Sequence, residues 1–102
     1  MSVVVVATIV PKAEHRDEVI AAIKETIAQV HGEDGCELYA LHEAADRLVM
    51  VEKWESGDAL STHSKGPALT ALGPKLAGKV AGAPDLVVLR PMPAGDAIKG
   101  AV

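Results

Sequence analysis

The chain has 102 residues, a net charge of −4 and only two aromatic residues, Trp54 and Tyr39, besides its histidines. This length is typical of one domain. The sequence contains no cluster of Lys and Arg to neutralise phosphates, and no interleaved aromatic residues to stack on bases, so we expect no nucleic-acid binding.

The apolar segments are too short to cross a membrane. No run approaches the ~20 residues that a spanning helix needs, so we expect no membrane partner. The apolar start lacks a basic region and a small-residue cleavage site, so it does not have the pattern of a signal peptide. The single cysteine, Cys36, cannot form an intrachain disulfide, which fits a reducing cytoplasm.

The first half of the chain alternates strand and helix patterns. A β-branched run predicts a strand over Val3–Val10, ended by Pro11. Apolar residues at helical spacing follow, and Gly32 ends the helix that they predict. Two further strands are predicted over Cys36–Glu43 and Arg47–Trp54, joined by a loop short enough for a hairpin.

The second half repeats the helix and the strand. Ser56 is expected to cap a helix. The sequence Lys65-Gly66-Pro67 interrupts this helix, and Pro67 can start it again as a first-turn residue. A fourth strand is predicted over Asp85–Arg90. The order β-α-β-β-α-β is that of a ferredoxin-like α+β fold with an antiparallel sheet. We expect this domain to occupy residues 1–92, with a tail over residues 93–102.

The strand patterns predict that the face of the sheet without helices is apolar. Both helices of this topology lie on one face, so the other face of a monomer should be polar. The first, third and fourth strands are instead apolar on both sides. In the fourth strand, for example, Leu86 and Val88 lie on one side, and Val87 and Leu89 lie on the other. Exposed apolar surfaces of this size are association sites. We therefore expect a homodimer through the sheet faces, with a tail folded over the sheet as the lesser alternative.

Glu52 is the first candidate functional residue. Strand alternation places it between Met50 and Trp54 on an apolar face. Because buried carboxylates are rarely unpaired, we expect a structural hydrogen bond or an ion pair with Arg47, Arg90 or a partner subunit. The alternative is a pocket residue with a raised pKa.

His63 shares the inward stripe of its helix with Leu60, just before the helix break. It is either a satisfied core histidine or a group that takes a proton near neutral pH at the mouth of a pocket. Trp54 either packs in the core or forms the flat wall of a site for a planar ligand. The hydroxyl of Tyr39 needs a partner if it is buried.

No motif indicates a cofactor or a metal. The sequence lacks CxxC pairs, phosphate loops, dinucleotide-binding glycine patterns and nucleophile elbows. Cys36 has no histidine at a metal-ligand spacing, so we interpret it as an inert buried thiol.

Three segments carry a family resemblance. In order, EDGCELYALHE, VEKWES and ALSTHSKGPAL contain an acidic-x-Gly-Cys turn that enters a strand, Glu-x-Trp at the end of the next strand, and a helical His followed by Pro. Over roughly residues 3 to 91 the chain resembles the antibiotic biosynthesis monooxygenase family. The resemblance implies a dimeric α+β barrel. It also implies cofactor-free oxygen chemistry on a small aromatic substrate, such as a quinol or a polyhydroxylated polyketide-like compound.

The resemblance also implies roles for individual residues. His63 would act as the base or as the hydrogen-bond partner of a phenolate, and Trp54 would position the ring; both lie at matched motif positions. Alternation adds Tyr39 as a second positioning residue. The same argument adds three substrate-binding candidates: Glu52 and Met50 on the third strand, and Arg90, which would stabilise developing negative charge.

Two other functions are compatible with the predicted fold, and the sequence argues against the first of them. The haem-degrading branch resembles this chain in fold but uses an Asn on the first strand, a Trp in the second helix and a downstream His. This chain has no Asn, and its only Trp lies on a strand, which argues against haem degradation. The second alternative is a non-catalytic dimer that binds a small hydrophobic metabolite or serves in a stress response. Whether His63 and Trp54 point into one cavity discriminates between catalysis and this alternative.

Overall fold

The computed structural model describes residues 1–102, and its central element is a four-stranded antiparallel sheet in the order β2-β3-β1-β4. The strands are β1 (Val3–Ile9), β2 (Cys36–Glu43), β3 (Leu48–Trp54) and β4 (Asp85–Leu89). The helices are α1 (Arg16–Val30), α2 (Gly57–Ser64) and α3 (Pro67–Leu76), and a 3-10 turn (Ala13–His15) precedes α1. The predicted ferredoxin-like α+β fold is confirmed.

The strands are one residue shorter than predicted at three ends. β1 stops before Val10, because the Val10 carbonyl accepts the N–H of Ala81 at 2.7 Å instead of a sheet partner. β3 starts after Arg47, whose carbonyl accepts the N–H of Ala44 at 2.8 Å within the hairpin loop. β4 stops before Arg90, which is followed by a proline that has no N–H for the sheet.

The predicted break between the second and third helices is present. The Ser56 hydroxyl accepts the N–H of Ala59 at 3.1 Å and so caps α2. At the other end, the N–H of Gly66 donates to the carbonyl of His63 at 3.0 Å. Pro67 then occupies the first turn of α3, where no intrahelical donor is needed. His63 therefore lies in the last turn of a short, capped helix.

The helices cover one face of the sheet. Val5 lies opposite Glu52, and Glu52 lies opposite Tyr39, so these side chains share that face. The buried core consists of Val5, Ala7, Ile9, Val19, Ile23, Val30, Tyr39, Leu48, Met50, Trp54, Ala68, Leu72 and Leu76. None of the helices is long and apolar enough to pass through a lipid bilayer.

β4 is apolar and uncovered on both of its faces. Leu86 and Val88 lie on the helix side, where they are 64% and 59% exposed, because no helix reaches this edge of the sheet. Val87 and Leu89 lie on the opposite side and are 44% and 42% exposed. Four adjacent apolar residues on this edge strand therefore form an uncovered apolar surface.

The tail lies near one end of the open sheet face. The Lys53 ammonium donates to the carbonyl of Val102 at 3.0 Å. Tail residues line a crevice together with Val4, which is buried. Val6 and Val51, further along the same face, are only partly buried. The tail therefore covers a part of the open face, and an apolar strip beside it stays accessible.

Candidate functional site

A glycine turn brings the second strand against the start of α2. Gly35 has a φ of +80°, a left-handed conformation that favours glycine. A Cβ on Gly35 would lie 2.6 Å from the Cβ of Ala59, and the N–H of Glu55 donates to the Gly35 carbonyl at 2.8 Å. Only a glycine allows this close approach, and the approach carries Glu33, two residues earlier, to the side of α2.

Glu33 and His63 form a hydrogen-bonded pair. Nδ1 of His63 lies 2.7 Å from Oε1 of Glu33, and the two side chains are 3% and 21% exposed. Because a carboxylate only accepts hydrogen bonds, the neutral form of the imidazole carries its hydrogen on Nδ1 in this pair, and the lone pair of Nε2 is then free. No protein group bonds to Nε2.

Glu33 is the site residue that sequence reasoning missed. Its Oε2 is buried and has no hydrogen-bond partner. Its sequence signal is the acidic position of the acidic-x-Gly-Cys turn, a motif that by itself indicates a turn and gives the carboxylate no role.

The aromatic residues surround His63. The ring of Trp54 stacks on that of His63, with centroids 4.3 Å apart and planes at 30°. The ring of Tyr39 meets His63 edge-on, with centroids 5.4 Å apart. Trp54 is fully buried and does not line the cavity beside His63. The expectation that Trp54 would form a wall against a ligand is therefore corrected: it lies behind the imidazole.

Glu52 is buried and forms a structural hydrogen bond, as one of the two expectations had it, but the ion pair with an arginine is absent. Its Oε1 accepts the Nε1–H of Trp54 at 2.9 Å. Arg47 instead pairs with Asp46 at 2.8 Å in the hairpin loop, and Arg90 is exposed, so neither arginine forms the predicted ion pair with Glu52. Burial raises the pKa of Glu52, and the Trp54 hydrogen bond and the nearby His63 partly oppose this shift.

Two further ionisable groups near Glu33 and Glu52 are held neutral. Burial raises the pKa of Tyr39 well above its ordinary value, and the charges of Glu52 and Glu33 act in the same direction. Burial, followed by the same two carboxylates, also raises the pKa of the half-buried Cys36 thiol. Tyr39 is therefore a phenol that can donate a hydrogen bond, and Cys36 is a thiol without the ionisation that reactivity needs.

A cavity of about 210 Å³ lies between the sheet and the helices beside this cluster. The cavity is lined by Val5, Ala7, Ile9, Ile23, Tyr39, Met50, Glu52, Leu60, His63, Ser64, Leu69, Leu72, Leu76, Pro84, Leu86 and Val88. His63, Glu52, Tyr39 and Ser64 are its only polar side chains, and no Lys or Arg contributes to it. The structure thus brings the candidates His63, Tyr39, Glu52 and Met50 together and leaves Arg90 outside.

The geometry supports acid–base chemistry on an apolar ligand. An imidazole with a carboxylate behind it can accept a proton, because the carboxylate stabilises the imidazolium that forms. No group of three or more His, Cys, Asp or Glu side chains has an arrangement that could hold a metal ion. The arrangement is an α+β fold in which one imidazole, backed by a carboxylate, lines an apolar cavity.

Comparison with known proteins identifies the family. The chain belongs to the antibiotic biosynthesis monooxygenase family, whose model matches residues 2–73. The resemblance noted in the sequence is thereby confirmed.

The similar proteins include one from Mycobacterium tuberculosis that carries the name "Putative monooxygenase Rv0793" and is 36% identical over 67 residues. That match covers 64% of this chain and 66% of the relative, just under two thirds of the relative's length. The solved structure of Rv0793 superimposes with a TM-score of 0.86 at 26% identity, covering 94% of this chain and 100% of that one. A Caulobacter crescentus structure, described as a "putative antibiotic biosynthesis monooxygenase", superimposes with a TM-score of 0.81 at 27% identity, covering 86% and 87% of the two chains.

Proposed function

We propose that this protein is a cofactor-independent monooxygenase that oxidises a small hydroxylated aromatic substrate, such as a quinol or a polyhydroxylated polyketide-like compound, with O₂. The observation that carries the proposal is the Glu33–His63 pair, whose imidazole lines an apolar cavity. A monooxygenase-like function agrees with the family to which the chain belongs.

The first step is removal of a proton from a substrate hydroxyl. Nε2 of His63 accepts the proton, and Glu33 stabilises the imidazolium through Nδ1. The Tyr39 phenol lines the same cavity and is available to donate a hydrogen bond to the phenolate oxygen. Apolar walls exclude water, so the anion is less solvated and easier to oxidise than it would be in bulk solvent.

The phenolate then reacts with O₂ without a further reductant. One electron passes from the anion to O₂, and the resulting radicals combine at a ring carbon to give a hydroperoxide. Loss of water leaves one oxygen atom on the ring and places the other in the water. A quinol plus O₂ thus gives a hydroxyquinone plus H₂O, and the substrate supplies all four electrons that reduce the O₂.

A homodimer is part of the proposal. The uncovered residues of β4 and the accessible strip of the open face, described above, need a cover of the same chemistry. A second copy supplies that cover if the two sheets pack face to face, in the aligned arrangement of packed sheets. This packing would close the dimeric α+β barrel that the sequence resemblance implies.

The second candidate function is binding without turnover. An apolar cavity with a few polar groups is also the usual form of a small-molecule binding site. The carboxylate behind His63 favours catalysis, because a binding site has no need to stabilise an imidazolium.

Isotope labelling tests the proposal. Metal-stripped protein is incubated with 1,4-dihydroxynaphthalene under ¹⁸O₂, and the products are analysed by mass spectrometry beside a protein-free sample. We expect 2-hydroxy-1,4-naphthoquinone that carries one ¹⁸O, with no change on adding a chelator. Unlabelled 1,4-naphthoquinone with hydrogen peroxide, at the protein-free rate, would contradict the proposal for this class of substrate and favour the binding role.

A further inference from the structure

The cavity has a distribution of charge and hydrogen-bonding groups that restricts its ligand beyond the presence of a base. Glu52 is the only acidic side chain on the cavity wall, and no cationic side chain accompanies it. Its Oε1 is held by the indole N–H of Trp54, whereas no protein group bonds to its Oε2. Unlike Oε2 of Glu33, Oε2 of Glu52 is not completely buried, so it remains accessible. The cavity therefore offers a second acceptor in addition to Nε2 of His63.

We propose that Glu52 determines specificity: the cavity takes an uncharged aromatic compound of one or two rings that carries two hydroxyl groups. One hydroxyl donates to Nε2 of His63, and the second donates to Oε2 of Glu52. This inference rests on the proposed function in using the same cavity, but it concerns binding and does not require oxygen chemistry.

Electrostatics excludes acidic ligands. A ligand carboxylate would lie beside Glu52 and close to Glu33, with no Lys or Arg on the wall to pair with it. Like charges repel strongly in a low-dielectric cavity, and an unpaired buried anion carries a large desolvation cost. A compound with one hydroxyl, in contrast, is not repelled but leaves Oε2 without a donor.

The volume sets the size of the ring system. An apolar protein cavity of about 150 Å³ binds benzene. The present cavity, at about 210 Å³, therefore suits a substituted single ring or a two-ring system. This size favours simple quinols over the larger polyketide-like compounds as ligands.

Three ligands with the same ring system test the inference. Binding is measured by calorimetry under nitrogen, so that no oxidation occurs, with 1,4-dihydroxynaphthalene, 1-naphthol and 4-hydroxy-1-naphthoic acid. They differ only in the substituent opposite the first hydroxyl: hydroxyl, hydrogen or carboxylate. Because hydrogen bonds to charged acceptors are the stronger ones, we expect the diol to bind about tenfold more tightly than 1-naphthol, and the acid to bind most weakly.

Glu52→Gln tests the residue itself. The amide keeps an oxygen for the Trp54 N–H but presents an NH₂ donor to the cavity where Glu52 presents an acceptor. We expect the preference for the diol over 1-naphthol to fall to within about threefold, and the acid to bind more tightly than it binds the wild type. Glu14→Gln, the same change at an exposed position outside the cavity, should leave all three affinities unchanged.

The outcomes separate this inference from the proposed function. Equal affinities of the wild type for the diol and 1-naphthol, or no binding of any of the three, would overturn it. Retention of the full preference in a folded Glu52→Gln variant would also overturn it. If that variant does not fold, the three wild-type affinities decide alone. Incorporation of ¹⁸O would still stand if the binding preference failed, and the preference could hold in a protein that does not oxidise its ligand.

Discussion

The indole of Trp54 stacks on the imidazole of His63, with ring centroids 4.3 Å apart, and through its N–H it also holds the carboxylate of Glu52 at 2.9 Å. A single fully buried side chain thus orients both the proposed base and the proposed specificity residue. Trp54 itself does not line the cavity; it contacts the two groups that do.

Trp54→Phe should destabilise the protein by about 1–3 kcal/mol, because the buried Oε1 of Glu52 loses its donor. Tyr39→Phe removes only the hydroxyl of a residue that lines the cavity and should cost less, within about 1 kcal/mol. Urea unfolding at one protein concentration measures both changes, since the stability of an oligomer depends on concentration. Equal losses for the two variants would show that the Trp54–Glu52 hydrogen bond contributes nothing particular to stability.

Gly35→Ala tests the close approach that carries Glu33 to His63. The substitution combines a positive φ with a Cβ placed 2.6 Å from that of Ala59. Gly78 has a similar φ of +76°, but a Cβ there would meet nothing within 4 Å, so Gly78→Ala is the matched control. We expect a loss of about 1–2 kcal/mol for the control, from the backbone conformation alone.

The contact in Gly35→Ala should add a further loss of about 1–3 kcal/mol, typical of overpacking. Chemical denaturation of the two variants measures the difference. If Gly35→Ala and Gly78→Ala lose the same stability, the contact with Ala59 does not position the turn.

Glu52→Gln should change how stability depends on pH. Burial raises the pKa of Glu52 in the folded protein, so the folded state binds the Glu52 proton more tightly than the unfolded state does. The contribution of Glu52 to stability is therefore fully present below the unfolded carboxyl pKa, which is about 4.3. It is lost as pH rises through the higher folded value.

Thermal unfolding between pH 4 and pH 8 measures this dependence. The difference in Tm between Glu52→Gln and the wild type should move in favour of the variant as pH rises across this window. Glu14→Gln, at an exposed position, should follow the wild type at every pH. A difference in Tm that is constant with pH, or that moves in favour of the wild type as pH rises, would contradict the raised pKa.

Val87→Glu tests the proposed homodimer. Val87 lies on the open face of β4 and is 44% exposed, so a sheet-to-sheet interface would bury the new charge. Ala28→Glu adds the same charge to the exposed side of α1. Light scattering at micromolar concentration should find a dimer for the wild type and Ala28→Glu, and a larger monomer fraction for Val87→Glu. A wild-type monomer would refute the dimer.

Periodicity accounts for what could be predicted from the sequence. Alternation along β3 correctly predicted the shared face of Met50, Glu52 and Trp54, because successive strand residues must point to opposite sides. Alternation gives the face but not the depth, so it could not tell that Trp54 lies behind His63 and does not line the cavity. Glu33 lies 30 residues before His63, and spacing along the chain contains no information about such a distant pairing.

Arg90 shows a second limit of sequence reasoning. It follows a strand that passes the cavity, but β4 ends before it, and Arg90 is exposed and forms no ion pair with Glu52. Strand alternation predicts that the carboxylate is buried and needs a partner, but it does not say whether that partner is an arginine or a neutral donor. The indole N–H, two residues away on the same strand, satisfied one oxygen instead.

The measurement that tests the central claim most directly is oxygen uptake by metal-stripped wild type, His63→Ala and His42→Ala with 1,4-dihydroxynaphthalene. His42 is an exposed histidine on β2, outside the cavity, and serves as the matched control. We predict uptake above autoxidation for the wild type and for His42→Ala, and a loss of roughly a hundredfold or more for His63→Ala, the usual contribution of a general base. Uptake above autoxidation that is unchanged in His63→Ala would contradict the assignment of His63 as the base.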